Sequence, residues 1–151
     1  MSHEKHIVRE AIDLSALLAE TEDHTCGALA VFMGEVRNHH EGKHVASMSY
    51  DAHVPIAAKV LATLEAEVLA NFEVTRCRIV HRIGHLELGE ASVAVVVRSA
   101  HRAPAFAAAQ YAIDTLKVRT PVWKEEFRPD GSTEHLDGTP LVSVATLDSD
   151  A

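Results

Sequence analysis

From Pro55 onward, apolar residues recur every third or fourth position. Ala57, Val60, Leu61, Leu64 and Val68 share one stripe, while Lys59, Glu65 and Glu67 face away. This spacing predicts an amphipathic helix to about Asn71. A second broad apolar face runs through Ala105, Phe106, Ala109, Ala112, Ile113 and Leu116, with Pro104 where a first helical residue belongs. A short helix is expected over 15–20, capped by Asp13.

Elsewhere the pattern is that of strands. Residues 27–36 are apolar and β-compatible, and Ala46, Met48 and Tyr50 alternate with Ser47, Ser49 and Asp51. The segment 74–83 carries Cys77, Ile79 and His81 on one face and three arginines on the other. Residues 91–97 are almost continuously apolar, as in a central strand covered on both sides. Between the first two strands, 37–43 reads as a long, donor-rich loop, mobile until something binds it. Residues 84–89 read as a turn region, and Asp130-Gly131 as a turn. Strands interleaved with two long helices predict an α+β layered domain, with helices covering a sheet. One domain spans 1–151, its ends at 1–12 and 138–151 peripheral or flexible. Within the tail, the apolar run from Leu141 to Leu147 is a candidate edge strand or stays loose.

The stretch Leu116-Lys117-Val118-Arg119-Thr120-Pro121-Val122-Trp123-Lys124-Glu125-Glu126 changes the picture from fold to chemistry. A residue before proline is pushed out of the α region, so the second long helix must stop near Thr120. Lys124 then falls on an extended segment, facing with Val122 and Glu126 and opposite Trp123, Glu125 and Phe127. Two amines from separate elements can converge on one pocket. Lys117 alone reads as a solvated lysine favoured by the helix dipole, and Lys124 is what turns the pair toward function. A lysine crowded by cations and partly desolvated has a lowered pKa, fit for nucleophile or proton donor. Ser99-Ala100-His101-Arg102 joins the central strand to that helix, where free N–H groups and the dipole favour an anion. The alternative is that His101 and Arg102 merely satisfy carbonyls there. Arg37 ends the first long strand with reach into a cleft, or else caps it in solvent.

Composition narrows the classes. The chain has 151 residues, 47% hydrophobic and 24% charged, as expected of a soluble globular protein. A formal net charge of −8 excludes a general nucleic-acid binder, so any anion site must be a local cluster of cations. Two cysteines, Cys26 and Cys77, are too few for a disulfide framework, and both read as packing residues on buried strand positions. With no secretion signal and no apolar run of membrane length, the expected location is cytoplasmic. Eleven histidines raise a metal hypothesis, with His39, His40 and His44 in one loop and His81 and His85 four apart. No cysteine pair or His-Glu-x-x-His helix accompanies them, and no metal is expected.

Five blocks then occur in order: Gly34-Glu35-Val36-Arg37-Asn38-His39, Val80-His81-Arg82-Ile83-Gly84, Gly89-Glu90-Ala91-Ser92-Val93, Ser99-Ala100-His101-Arg102 and the lysine-bearing stretch from Leu116 to Lys124. Over about Gly27 to Ser132, the chain resembles the large, catalytic subunits of the molybdopterin synthase family. The resemblance implies an α/β-hammerhead fold, a mixed and largely antiparallel sheet covered by two long helices. It also implies a homodimer within a heterotetramer containing two copies of a small ubiquitin-like sulfur-carrier subunit. The partner's C-terminal Gly-Gly thiocarboxylate would supply two sulfurs to cyclic pyranopterin monophosphate (precursor Z), with no cofactor needed. Carried over by position, Lys117 and Lys124 would be catalytic. Arg37, His101 and Arg102 would hold the pterin phosphate and its surroundings, with Glu35, Val36, Glu125 and Glu126 lining the site. Two other classes remain beside this one: a non-catalytic pterin-phosphate or nucleotide-binding module, and a scaffold whose histidine loop binds zinc.

Overall fold

A computed structural model describes residues 6–136. Its strands are β1 (Ile7–Val8), β2 (Ala28–Glu35), β3 (His39–His40), β4 (Lys43–His44), β5 (Ser47–Ala52), β6 (Arg76–Arg82), β7 (Gly84–Glu87), β8 (Ala91–Ser99), β9 (Val122–Phe127) and β10 (Thr133–Leu136). The helices are α1 (Leu14–Glu20), α2 (Val54–Asn71) and α3 (Arg102–Arg119). One four-stranded sheet has the order β1-β6-β8-β2, and the other has the order β10-β9-β5-β7. Apart from the parallel β1–β6 pair, the ladders are antiparallel. The architecture is α+β with a mixed, mainly antiparallel sheet under two long helices, as the sequence led us to expect.

The main core lies between the first sheet and α2 and α3. Leu61, Leu64 and Val68 of α2 and Ala105, Ala108, Ala112 and Leu116 of α3 close over Ile79, Val95 and Val97. Val80, Ala94 and Val96 face the other way and pack with Leu17 of α1, so β8 is covered on both sides. Alanine dominates the buried face of α3, which lets the helix lie close to the sheet. Helix α1 begins where Asp13 accepts a hydrogen bond from the Ala16 N–H at 3.1 Å, the expected cap. Helix α3 ends at Thr120, whose backbone is extended (φ −86°, ψ 124°) ahead of Pro121.

Several expectations are corrected. Residues 84–87 form a strand, β7, paired with β5; its short polar sequence hides a ladder that only β5 supplies. The loop at 37–43 contains the β3–β4 hairpin, closed by Glu41 (φ 50°) and Gly42 (φ 78°). Two positive-φ central residues make a turn whose twist suits a hairpin. Glu65 and Glu67 do not face away. Glu65 accepts from the Ile79 N–H at 2.7 Å and pairs with Arg78 at 2.9 Å, while Glu67 holds Arg119 at 2.9 Å and accepts from the Tyr111 hydroxyl. Phe106 is 67% exposed, because the buried stripe of α3 runs through Ala105, Ala108 and Ala109. The helix also starts at Arg102, two residues before Pro104. Cys26 precedes β2 and is only half-buried, whereas Cys77 is buried, its thiol pushed up to about 12 chiefly by burial. Within the segment assigned to the periphery, Ile7 belongs to the main core. The candidate edge strand at 141–147 lies outside the described residues.

Candidate active site

The second sheet turns one face toward the body of the molecule. In antiparallel register Met48, Tyr50 and Ala52 of β5 stand opposite Glu126, Lys124 and Val122 of β9. Directly opposed side chains share a face, so this one strand pair sets a lysine and a carboxylate beside a tyrosine. Glu125 alternates to the opposite face, opposite Ser49 and His135, and does not line the side that carries Lys124.

Lys117 reaches the same region from the last turn of α3. The chain leaves the helix at Thr120, and the Pro121 carbonyl accepts from the His53 N–H at 3.3 Å, fixing the corner between α3 and β9. Arg37 arrives from the end of β2. Its predecessor Val36 is buried and doubly anchored, donating to the Glu90 carbonyl at 3.0 Å and accepting from the Gly89 N–H at 2.7 Å. Glu35 is exposed at a register shift that ends β2.

Electrostatics ties these groups together. Burial pushes the half-buried Lys124 amine below its ordinary pKa; the charges of Lys117 and then Arg37 push the same way, and Glu126 opposes them. Glu126 is 1% exposed, and its Oε2 has no hydrogen-bond partner among the described residues. His40 Nδ1 stands 3.9 Å from that oxygen, and Arg128 Nη2 is 3.9 Å from Oε1. A buried carboxylate with Arg128 and the Lys124 amine near it is arranged to hold a cation or a proton donor in place.

Arg37, Lys117, Lys124 and Glu126 are thus brought together. His101 and Arg102 are not. Both are exposed at the start of α3, and the fifteen residues from Arg102 to Lys117 span roughly 22 Å of helix at about 1.5 Å per residue. The expected anion site at the strand-to-helix junction and the pair of lysines therefore occupy opposite ends of one helix in a single chain.

Two further residues, which the sequence did not assign to the site, lie at the cluster. Tyr50 packs edge-on against His81, ring centroids 5.4 Å apart. His81 is buried, and its imidazole pKa is lowered to about 4, first by burial and further by the charge of Lys117. The available signal was His81 itself, a polar residue on the buried face of an apolar strand. Of the histidines in the metal hypothesis, His39 stands opposite His44 in the β3–β4 hairpin, but His81 and His85 part. His81 is buried, whereas His85 is exposed on β7 and pairs with Glu87 at 2.7 Å. Among the described residues, no group of three or more potential ligands could hold a metal ion.

Comparisons with known proteins identify the family. The model of the MoaE protein family matches residues 7–119. The molybdopterin synthase catalytic subunit of Dictyostelium discoideum is 38% identical over 144 residues, covering 91% of each chain. Curated relatives of the same name vary in length, and this chain spans from 33% to 91% of theirs. Among solved structures, molybdopterin synthase from Staphylococcus aureus superposes with a TM-score of 0.82 at 34% identity, covering 89% of this chain and 97% of that one. A complex of subunits 1 and 2 of the molybdopterin-converting factor from Helicobacter pylori shares the fold, with a TM-score of 0.70 at 20% identity over 90% and 93% of the two chains. With the family model matching residues 7–119 and a relative 38% identical over 91% of each chain, this chain belongs to the MoaE family.

Proposed function

We propose that this chain is the catalytic subunit of a molybdopterin synthase, a sulfurtransferase of molybdenum cofactor biosynthesis. It acts in the cytoplasm on precursor Z, with sulfur delivered by the thiocarboxylated Gly-Gly terminus of a small ubiquitin-like subunit. The observation that carries this reading is the meeting of Lys117, Lys124 and Arg37 beside buried Glu126, in a chain of net charge −8. A phosphorylated pterin and a thiocarboxylate are both anions. At about 4 Å and an effective dielectric near 20 they would repel by about 4 kcal/mol, which three clustered cations offset.

The amine with the lowered pKa, Lys124, is suited to give a proton to oxygen leaving the substrate carbon. Lys117, exposed at the helix end, is suited to steady the negative charge that develops when sulfur adds. His101 and Arg102 reach substrate held at these amines only when a second copy of the chain supplies them, since α3 separates them by its own length. The homodimer is therefore part of the proposal, with the pterin phosphate bound across it.

The test is reconstitution of the full chain with its thiocarboxylated partner and precursor Z. A dithiolene product is expected, and Lys117→Ala should abolish it while leaving the melting temperature within a few degrees, as for an exposed side chain. Tight calorimetric binding of the pterin without any turnover would instead identify a non-catalytic binding module.

A further inference from the structure

Tyr50 stands where the two halves of the molecule meet. Among the described residues it packs both against the main core under α2 and α3 and against the smaller cluster of Val36, Val45, Met48 and Leu86. On β5 it is directly opposite Lys124. Its ring meets His81 of β6, in the other sheet, edge-on at 5.4 Å. Ser92 of β8 lies near its hydroxyl, and the Ser92 hydroxyl donates to the Gly34 carbonyl at 3.2 Å, three residues before Arg37.

His81 is itself fixed. Its Nδ1 lies 2.9 Å from the Arg82 carbonyl. A carbonyl only accepts, so Nδ1 carries the proton and Nε2 is left as a lone pair. The ring is buried and cannot turn without breaking that bond. The charge of Lys117, at the end of α3, is felt at this imidazole. The chain of contacts therefore runs from Lys124 through Tyr50 to His81, crossing from one sheet to the other, and ends where the charge of Lys117 is felt.

We propose that Tyr50 and His81 are positioning residues, a strut between the sheets that sets how far the Lys124 amine stands from the Lys117 amine. The inference rests on the sulfur-transfer reading above for its catalytic consequence, but not for its geometry. In this proposal both residues act through the lysines. Their effect is to hold two amines, borne by different elements, at one separation.

The experiment compares the full chain with Tyr50→Leu, Tyr50→Phe and His81→Gln. Each is treated with a short-span amine-to-amine cross-linker, and the Lys117–Lys124 link is quantified by peptide mass spectrometry. A monofunctional acylating reagent controls for amine reactivity. Each is also assayed for dithiolene formation with the thiocarboxylated partner. Tyr50→Leu should lower the link yield several-fold and kcat by on the order of 10²-fold, the effect of misplacing a catalytic group by about 1 Å, with KM within about twofold. Tyr50→Phe keeps the ring against His81 and should retain most of both. A role in stability alone would lower the melting temperature and leave the link yield and kcat of the folded protein unchanged, which overturns the proposal. Should Tyr50→Leu not fold, His81→Gln decides in the same way, because it removes the ring contact from the other side. If the unaltered protein makes no dithiolene, the sulfur-transfer reading falls, and the cross-link ratio still decides whether the strut exists.

Discussion

His81 gives the sharpest prediction about stability. In the folded chain the imidazole is buried, and its pKa falls from 6.5 to about 4. Three neighbours surround it: the Arg82 carbonyl on its own strand, the Tyr50 ring from β5 and the Lys117 ammonium from α3. Burial and Lys117 both oppose the charged form. The unfolded chain takes up its proton near pH 6.5, and the folded chain does so only near pH 4. Between those values the unfolded state binds more protons, so stability falls as the medium is acidified. The contribution is whole above pH 6.5, declines through the window and levels off below about pH 4. At about 1.36 kcal/mol per pH unit, the loss across the window is roughly 3 kcal/mol. That is a large share of a stability of about 5–15 kcal/mol.

The assay is urea unfolding followed by Trp123 fluorescence at pH 7.5 and pH 4, at one protein concentration, for the wild-type chain and His81→Gln. Carboxylates held below their ordinary range also lose stability in acid. Glu67, lowered by the Tyr111 hydroxyl and by Arg119, is one of them. These groups are common to both proteins and cancel in the difference. The advantage of wild type over His81→Gln should shrink by roughly 3 kcal/mol on going to pH 4. Parallel pH profiles would refute the account of a histidine buried in its neutral form.

Three other outcomes follow from the same geometry. Leu64→Ala, at a core position 1% exposed between α2 and the sheet, should cost about 2–5 kcal/mol in denaturant unfolding; a loss under about 1 kcal/mol would mean that the site collapses freely. Glu65→Ala strips partners from the Ile79 N–H, Arg78 and His6 at once, and thermal unfolding should register a loss of about 1–3 kcal/mol. Glu126→Gln removes the charge that holds the Lys124 pKa up against Lys117 and Arg37, so Lys124 should titrate at lower pH by NMR of 13C-labelled lysine; a shift upward contradicts the proposed cluster.

What could be read from the sequence was local. Pro121 forces Thr120 out of the helix, so Lys117 and Lys124 had to lie on different elements. Strand alternation then places Lys124 and Glu126 on one side and Glu125 on the other. The unbroken apolar run at 91–97 had to be covered on both faces, and Asp13 had to cap α1. Even the distance from Arg102 to Lys117 is implied by an unbroken helix, because rise per residue is a property of the backbone.

Contacts between elements distant along the chain were decided only by tertiary structure. Strand β7 exists because β5 offers it a ladder, a partner about forty residues away. Phe106 is exposed because the sheet approaches α3 along its alanines, and no periodicity distinguishes a face that packs on a sheet from one slightly rotated away. Glu65 reads as a solvent-facing charge until β6 brings Arg78 and the Ile79 N–H beneath it. The meeting of Tyr50 with His81, and of both with the lysines, depends on how two sheets are set against each other. Periodicity reports which way a side chain points from its own backbone. What it points at is settled by packing among elements that the local pattern does not connect.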